Sequence, residues 1–280
     1  MAYPKPKKHR LLSRLAFSIP GFVLVVVLSQ CGGSDHDEET AICTPANVRV
    51  AAGEDSIVYA YDGGNRLAEL QSMDGNRVIE RYIMTYTDGK LTKCTHSFPE
   101  VSGPDFVTEV FTLTYGSNGK PATRTYAQGS GPVFETIVYS YDEKERLVKR
   151  VTEALGTPIM STRYEYNGDN VSKIYYMQSK DADEILGAEF LSFDDHKRFF
   201  AGSSDLVLVE TFIFNYEPSV NNVITMKLYA TPGTTYGTPI SCRFQMGYNE
   251  KGYVKSLTEA IYSGYPLPIF TFSQMNYTCR

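Results

Sequence analysis

The chain has 280 residues, 42% of them hydrophobic and 21% charged, with 21 Tyr, 15 Phe and no Trp. That is the composition of a folded, strand-rich protein rather than a disordered one. All five basic residues of positions 1–30 precede residue 15, and without them 22 basic face 32 acidic side chains, a net charge of −10 that disfavours nucleic acid as a partner.

In chain order, the first element is an address. A basic stretch from Lys5 to Arg14 precedes an apolar run from Leu15 to Leu28, broken by Pro20 and Gly21. This is the layout of a secretory signal over residues 1–30 and is too short for a comfortable transmembrane helix. Leu28-Ser29-Gln30-Cys31-Gly32 resembles the lipobox of bacterial lipoproteins. The resemblance implies acylation at Cys31, and so outer-membrane lipid as a partner. Residues 31–42 hold Asp35, Asp37, Glu38 and Glu39 in a short polar tether. That acidic run is similar to the export signal of Bacteroidetes-type surface lipoproteins. It implies an outer-membrane lipoprotein, on the periplasmic or the cell-surface side, with the surface favoured.

Residues 43–280 are predicted to form one β domain built on a repeat. Residues 59–67 read Tyr-Ala-Tyr-Asp-Gly-Gly-Asn-Arg-Leu and residues 139–147 read Tyr-Ser-Tyr-Asp-Glu-Lys-Glu-Arg-Leu. Looser copies place anchor aromatics at Tyr86, Tyr115, Tyr166, Phe193, Tyr216 and Tyr248, giving eight repeats of roughly 27 residues with Tyr61 and Tyr141. Before each anchor, apolar residues alternate, as in Phe111-Leu113-Tyr115, which signals a half-buried strand. After each comes an Asp/Asn/Gly-rich turn and a second strand, ending in looser connections such as 99–104, 127–132 and 154–158. No helical stripe emerges. The fold class expected is all-β: an antiparallel up-and-down meander of about 16–18 strands, eight degenerate hairpins, curled into a wide barrel-like or half-open sheet with the anchors in its core. Arg81, Arg163, Glu165 and Lys255 fall on the opposite face and oppose a membrane pore.

The frame resembles the YD repeats of RHS and teneurin-type proteins, Tyr-x-Tyr-Asp-x-x-Gly-Arg-Leu, with Asn65 and Glu145 standing where those repeats carry glycine. In length, lipobox and repeat decay the chain resembles a Bacteroidetes-type lipoprotein family of unknown function with a porin-like fold.

Chemistry-bearing motifs are scarce. His96 and His196 are expected as surface strand or turn residues, and Ser117-Asn-Gly-Lys120 as a hairpin tip. No zinc spacing, phosphate loop or nucleophile elbow occurs, so no cofactor, metal or catalytic residue is expected. Asp55-Ser56-Ile57 looks like a Bacteroidetes-type O-glycosylation acceptor at Ser56. If the sheet closes, Cys43 and Cys279 meet and form a disulfide, with Cys94 the alternative partner, while Cys242 and Cys279 stay apart. The expected function is a non-enzymatic envelope lipoprotein whose scaffold serves structure or binds a carbohydrate or protein ligand. The alternatives are a glycan-active hydrolase with carboxylates on separate strands and an accessory subunit of an outer-membrane assembly.

Overall fold

The structure, a computed structural model, describes residues 43–50, 55–99, 106–179, 182–196, 208–213, 218–231, 234–262 and 272–279. The signal, the tether, Cys31 and Tyr216 lie outside the described residues.

Sixteen antiparallel strands follow one another around a barrel. They begin with β1 (Cys43–Val50), β2 (Asp55–Tyr61), β3 (Leu67–Asp74), β4 (Arg77–Thr87), β5 (Lys90–Pro99) and β6 (Phe106–Tyr115). Next come β7 (Pro121–Gln128), β8 (Val133–Tyr141), β9 (Leu147–Ala154), β10 (Thr157–Asn167) and β11 (Asn170–Met177). The last are β12 (Ile185–Phe193), β13 (Val223–Thr231), β14 (Thr234–Tyr248), β15 (Val254–Tyr262) and β16 (Phe272–Cys279). Each pairs with its sequence neighbours and β16 lies beside β1, so the expected meander returns on itself. The barrel is nearly closed, and its loose seam runs between β15 and β16, where Leu257 opposite Phe272 is the one described pair.

Every residue of the Tyr-x-Tyr-Asp-x-x-x-Arg-Leu frame has a physical task. The first tyrosine, Tyr59 or Tyr139, is buried. The aspartate builds the turn: Asp62 Oδ1 accepts from the Gly64 and Arg66 amides, and Asp142 Oδ1 from Lys144 and Arg146. Its other oxygen accepts from the arginine Nε at 2.8 Å in both copies. The residue before the arginine has positive φ, 61° at Asn65 and 60° at Glu145, which is where the YD pattern carries glycine. The arginine then covers the anchor ring of the next hairpin, Arg66 over Tyr86 and Arg146 over Tyr166. The leucine is buried, and its carbonyl accepts from the hydroxyl of that same ring: Tyr86 donates to Leu67 at 2.9 Å and Tyr166 to Leu147 at 2.7 Å.

Neighbouring hairpins are thus bolted together by one repeated bond. It recurs from Tyr61 to the Pro45 carbonyl, Tyr115 to Leu91, Tyr141 to Pro121 and Tyr277 to Val254, at 2.7 to 2.9 Å. The anchors are half-buried at the rim of the core and not its centre, and in six of them the hydroxyl reaches a carbonyl near a strand end. The interior belongs to residues two and four positions earlier, such as Tyr82, Met84, Phe111, Leu113, Ile137 and Tyr139.

Tyr277 is the eighth anchor among the described residues, with the register of the others and the recurring carbonyl bond. The residues leading to Tyr216 form a π-helical turn, Val209–Ile213, instead of a strand. Its Val209, Thr211, Phe212 and Ile213 are all buried, and the inward-facing Arg124 donates to the Phe212 and Ile213 carbonyls. Tyr139 packs edge-on against Phe212 with ring centres 4.8 Å apart. A segment whose successive residues are all buried must be surrounded, so this turn fills the lumen. The loose connection expected at 154–158 is instead a two-residue turn, with Leu155 and Gly156 at φ 49° and 79°.

The outer face is largely polar, with Ile83, Val138 and Leu191 exposed singly among the polar side chains. Thr85, Thr112, Ser140, Arg243 and Gln245 are exposed there, and Arg163 makes ion pairs with Glu165 and Glu184. A lipid-facing barrel would show the reverse distribution, an apolar band outside.

Candidate functional site: an inner row of carboxylates and an outer amide groove

The closed interior contains charges that the linear pattern did not expose. Six residues before the anchor, four successive hairpins carry an acid: Asp55, Glu80, Glu109 and Glu135. Period-two alternation sends that position inward, on the same side as the buried Tyr82, Phe111 and Ile137. The facing strands supply polar partners in register, Ser72 opposite Glu80, His96 opposite Glu109 and Tyr126 opposite Glu135.

His96 is a correction to the sequence expectation. It is 1% exposed, stacked on Tyr82 with centroids 4.0 Å apart, and its Nδ1 lies 2.9 Å from Glu109 Oε2. Tyr126 donates to the other Glu109 oxygen at 2.9 Å. Arg124 Nη2 donates to Glu135 Oε1 at 2.5 Å, completing the lattice toward the π-helical turn. Burial, and next the Glu109 charge, push the Glu80 carboxyl up to about 7, with a Ser72 hydrogen bond acting in the opposite direction. Burial pushes Asp55 up as well, helped by Asp74.

Glu80 and Glu109 are two acids from separate strands, the arrangement a glycan hydrolase would use, but they are 5% and 7% exposed. A hydrolytic pair must flank a substrate bond and admit a water. Here the space between strands is filled by His96, Tyr82 and Tyr126, so the arrangement is a buried hydrogen-bonded lattice. Among the described residues no group of three or more His, Cys, Asp and Glu is disposed to hold a metal ion.

His196 is 44% exposed by side chain, pairs with Asp195 and stacks on Tyr248. Ser117-Asn-Gly-Lys120 is the expected hairpin tip, with Gly116 N donating to the Lys120 carbonyl and Gly119 at φ 76°. Cys94 and Cys242 are free and buried, and burial pushes both thiols up to about 12.

On the outside, Asn47, Arg49, Ser56, Val58, Gln274 and Asn276 line a shallow groove of about 310 Å³ across β16, β1 and β2. Gln274 donates to Asn276 and Asn276 to Asn47, at 2.9 and 2.8 Å, so the amides form a chain along the groove floor. Ser56 lies at its side, on β2 opposite Arg49. Neither the acid row nor this groove was singled out from the sequence. The signal for the first was the recurrence of an acid six positions before the anchor.

These features define an antiparallel, sixteen-strand barrel with buried aromatic and aliphatic side chains inside and a largely polar exterior. A porin-like protein from Bacteroides uniformis has a similar fold, with a TM-score of 0.50 at 13% identity over 86% of this chain and 96% of that one. At that identity the likeness is one of fold alone. A TcdB2-TccC3 structure aligns at TM-score 0.21 and 10% identity over 73% of this chain and 13% of its own. A TcdB2-TccC3-TEV structure aligns at 0.23 and 11%, over 75% and 14%, and neither superposition is close enough to carry an argument. Neither a family model nor a curated protein matches the sequence.

Proposed function

We propose that the chain is a non-enzymatic cell-envelope lipoprotein, acylated at Cys31, whose barrel is a rigid scaffold presenting its outer surface to a carbohydrate or protein. The observation that supports this most is the distribution of side chains. Buried Tyr, Phe and Leu side chains and a π-helical turn stand inside, and the outer face is largely polar, a distribution that argues against a conducting channel with a lipid-facing belt. The amide groove at β16, β1 and β2 is the surface we assign to ligand, because chained amides present both donors and acceptors to a sugar hydroxyl or peptide group.

Metabolic labelling with an alkyne fatty acid, followed by fractionation, tests the anchor. The wild-type chain takes up label and sediments with membranes, and Cys31→Ala does neither. An intact mass corresponding to an unmodified chain that starts before residue 31 contradicts the proposal. A specific feature favours an assembly subunit as the second reading: Val133, Phe134, Leu155 and Ile159 are exposed together at the far ends of β8, β9 and β10. Loss of a co-purifying envelope protein on Leu155→Asp, with the groove variant Asn276→Ala unaffected, would favour it over the groove.

A further inference from the structure

We propose that a disulfide between Cys43 and Cys279 takes the place of the turn in the eighth hairpin, whose two strands are the first and last of the barrel.

Seven hairpins share a signature at the anchor. The anchor aromatic pairs with the first or second residue of the second strand, and the preceding pair skips one residue there, a bulge that turns the strand end. Thus Ser140 pairs with Lys149 and Tyr141 with Leu147, Thr85 with Lys93 and Tyr86 with Leu91, Gly247 with Ser256 and Tyr248 with Val254. Strands β16 and β1 repeat it: Asn276 pairs with Asn47 and Tyr277 with Pro45, skipping Ala46. Tyr277 and Pro45 also stand at either end of the bolting bonds, Tyr277 to the Val254 carbonyl and Tyr61 to the Pro45 carbonyl. By register and by hydrogen bonding, β16 and β1 are one repeat cut open at its tip.

Beyond the anchor, an intact hairpin runs into its turn, as Thr87 opposite Lys90 runs into Asp88-Gly89. In the cut repeat, Thr278 opposes Thr44 and then Cys279 opposes Cys43, two cysteines at the place where an intact hairpin turns. Directly opposed residues of antiparallel strands have Cα atoms ~4.5–5.5 Å apart, within the range a disulfide spans. The remaining described cysteines are elsewhere: Cys94 opposes Met84 and Phe111, and Cys242 opposes Met226 and Tyr262. A bridge has a function at this point, because β16 has one described pair with β15 and depends on β1 for its ladder.

The chemistry balances with a small-molecule disulfide as oxidant. The Cys43 thiolate attacks oxidised glutathione and releases one glutathione thiolate. The Cys279 thiolate then attacks the Cys43 sulfur and releases the second, so two protein thiols become one disulfide and one glutathione disulfide becomes two thiols.

The test uses the purified full chain in a glutathione redox buffer, which makes it independent of where the protein resides. Non-reducing peptide mapping should link the peptide carrying Cys43 to that carrying Cys279, in wild type and in a Cys94→Ser/Cys242→Ser variant. Reduction should lower Tm by about 8–15 °C in both, and by less than about 2 °C in Cys43→Ser/Cys279→Ser. Free thiols at both positions, or a link from either to Cys94 or Cys242, would overturn the proposal.

Discussion

At the scale of single residues, the barrel resolves which polar positions face water and which do not. Glu80 and Thr114 both lie on strands that alternate with apolar neighbours, yet Glu80 points inward and Thr114 outward, where it meets Thr123 at 2.7 Å. The Glu80 carboxyl is held up near 7, well above its unfolded value, so the folded state binds the proton more tightly. Its contribution is fully present below about pH 4.5, is lost as pH rises to about 7, and amounts to a few kcal/mol at most. Urea titrations of wild type should therefore show a decline in stability over that window, and Glu80→Gln, which keeps the shape without the charge, should flatten it. An unchanged slope would remove Glu80 from the buried lattice. The anchors make a second contrast. Tyr141→Phe deletes the bond to the Pro121 carbonyl and should cost about 1 kcal/mol, Tyr141→Ala about 3, and Thr114→Ala under 1, read from the same titrations.

The hairpin is the element at which sequence and structure correspond best, and the reasons lie in its chemistry. Asp62 and Asp142 each form a turn with local partners, so nine consecutive residues carry the whole signal and no distant contact is needed to recognise it. Bonds to Arg66 hold the Asp62 carboxyl below the usual carboxylate range, which keeps that turn charged and closed. Glu145 shows where the frame pays a local strain: at φ 60° a β-carbon is disfavoured, so Glu145→Gly should raise stability by about 0.5–1 kcal/mol in thermal melts, offset by its exposed contact with Lys120. Gly187 behaves oppositely. A β-carbon there would meet the Tyr176 ring at 2.2 Å, so Gly187→Ala should be strongly destabilising in the same melts. The π-helical turn was not legible, because Thr211-Phe212-Ile213-Phe214 is a short run of β-branched and aromatic residues, the composition of a buried strand. Only the enclosed space, with Arg124 waiting for two carbonyls, distinguishes the cases.

At the scale of the molecule, closure decides what the pattern could not. A linear repeat has a first and a last copy, whereas a closed barrel has neither, and so Tyr277 on the last strand completes a hairpin with the first. The inner acid row escaped notice for a related reason. Glu80, Glu109 and Glu135 look like ordinary solvent-facing charges until the sheet curls, after which His96, Tyr126 and Arg124 are the groups that reach them. Sixteen strands would leave a water-filled channel in an outer-membrane pore, but here aromatic side chains and the π-helical turn occupy that space. Planar-bilayer recordings should accordingly show no stepwise conductance.

Purifying the chain from residue 43 onward without detergent, and measuring its size and far-UV circular dichroism, decides whether the barrel has a packed interior and a polar, water-facing exterior. A monodisperse β-rich protein that stays soluble in buffer alone is expected, whereas a chain that folds only in detergent micelles or lipid would overturn this reading.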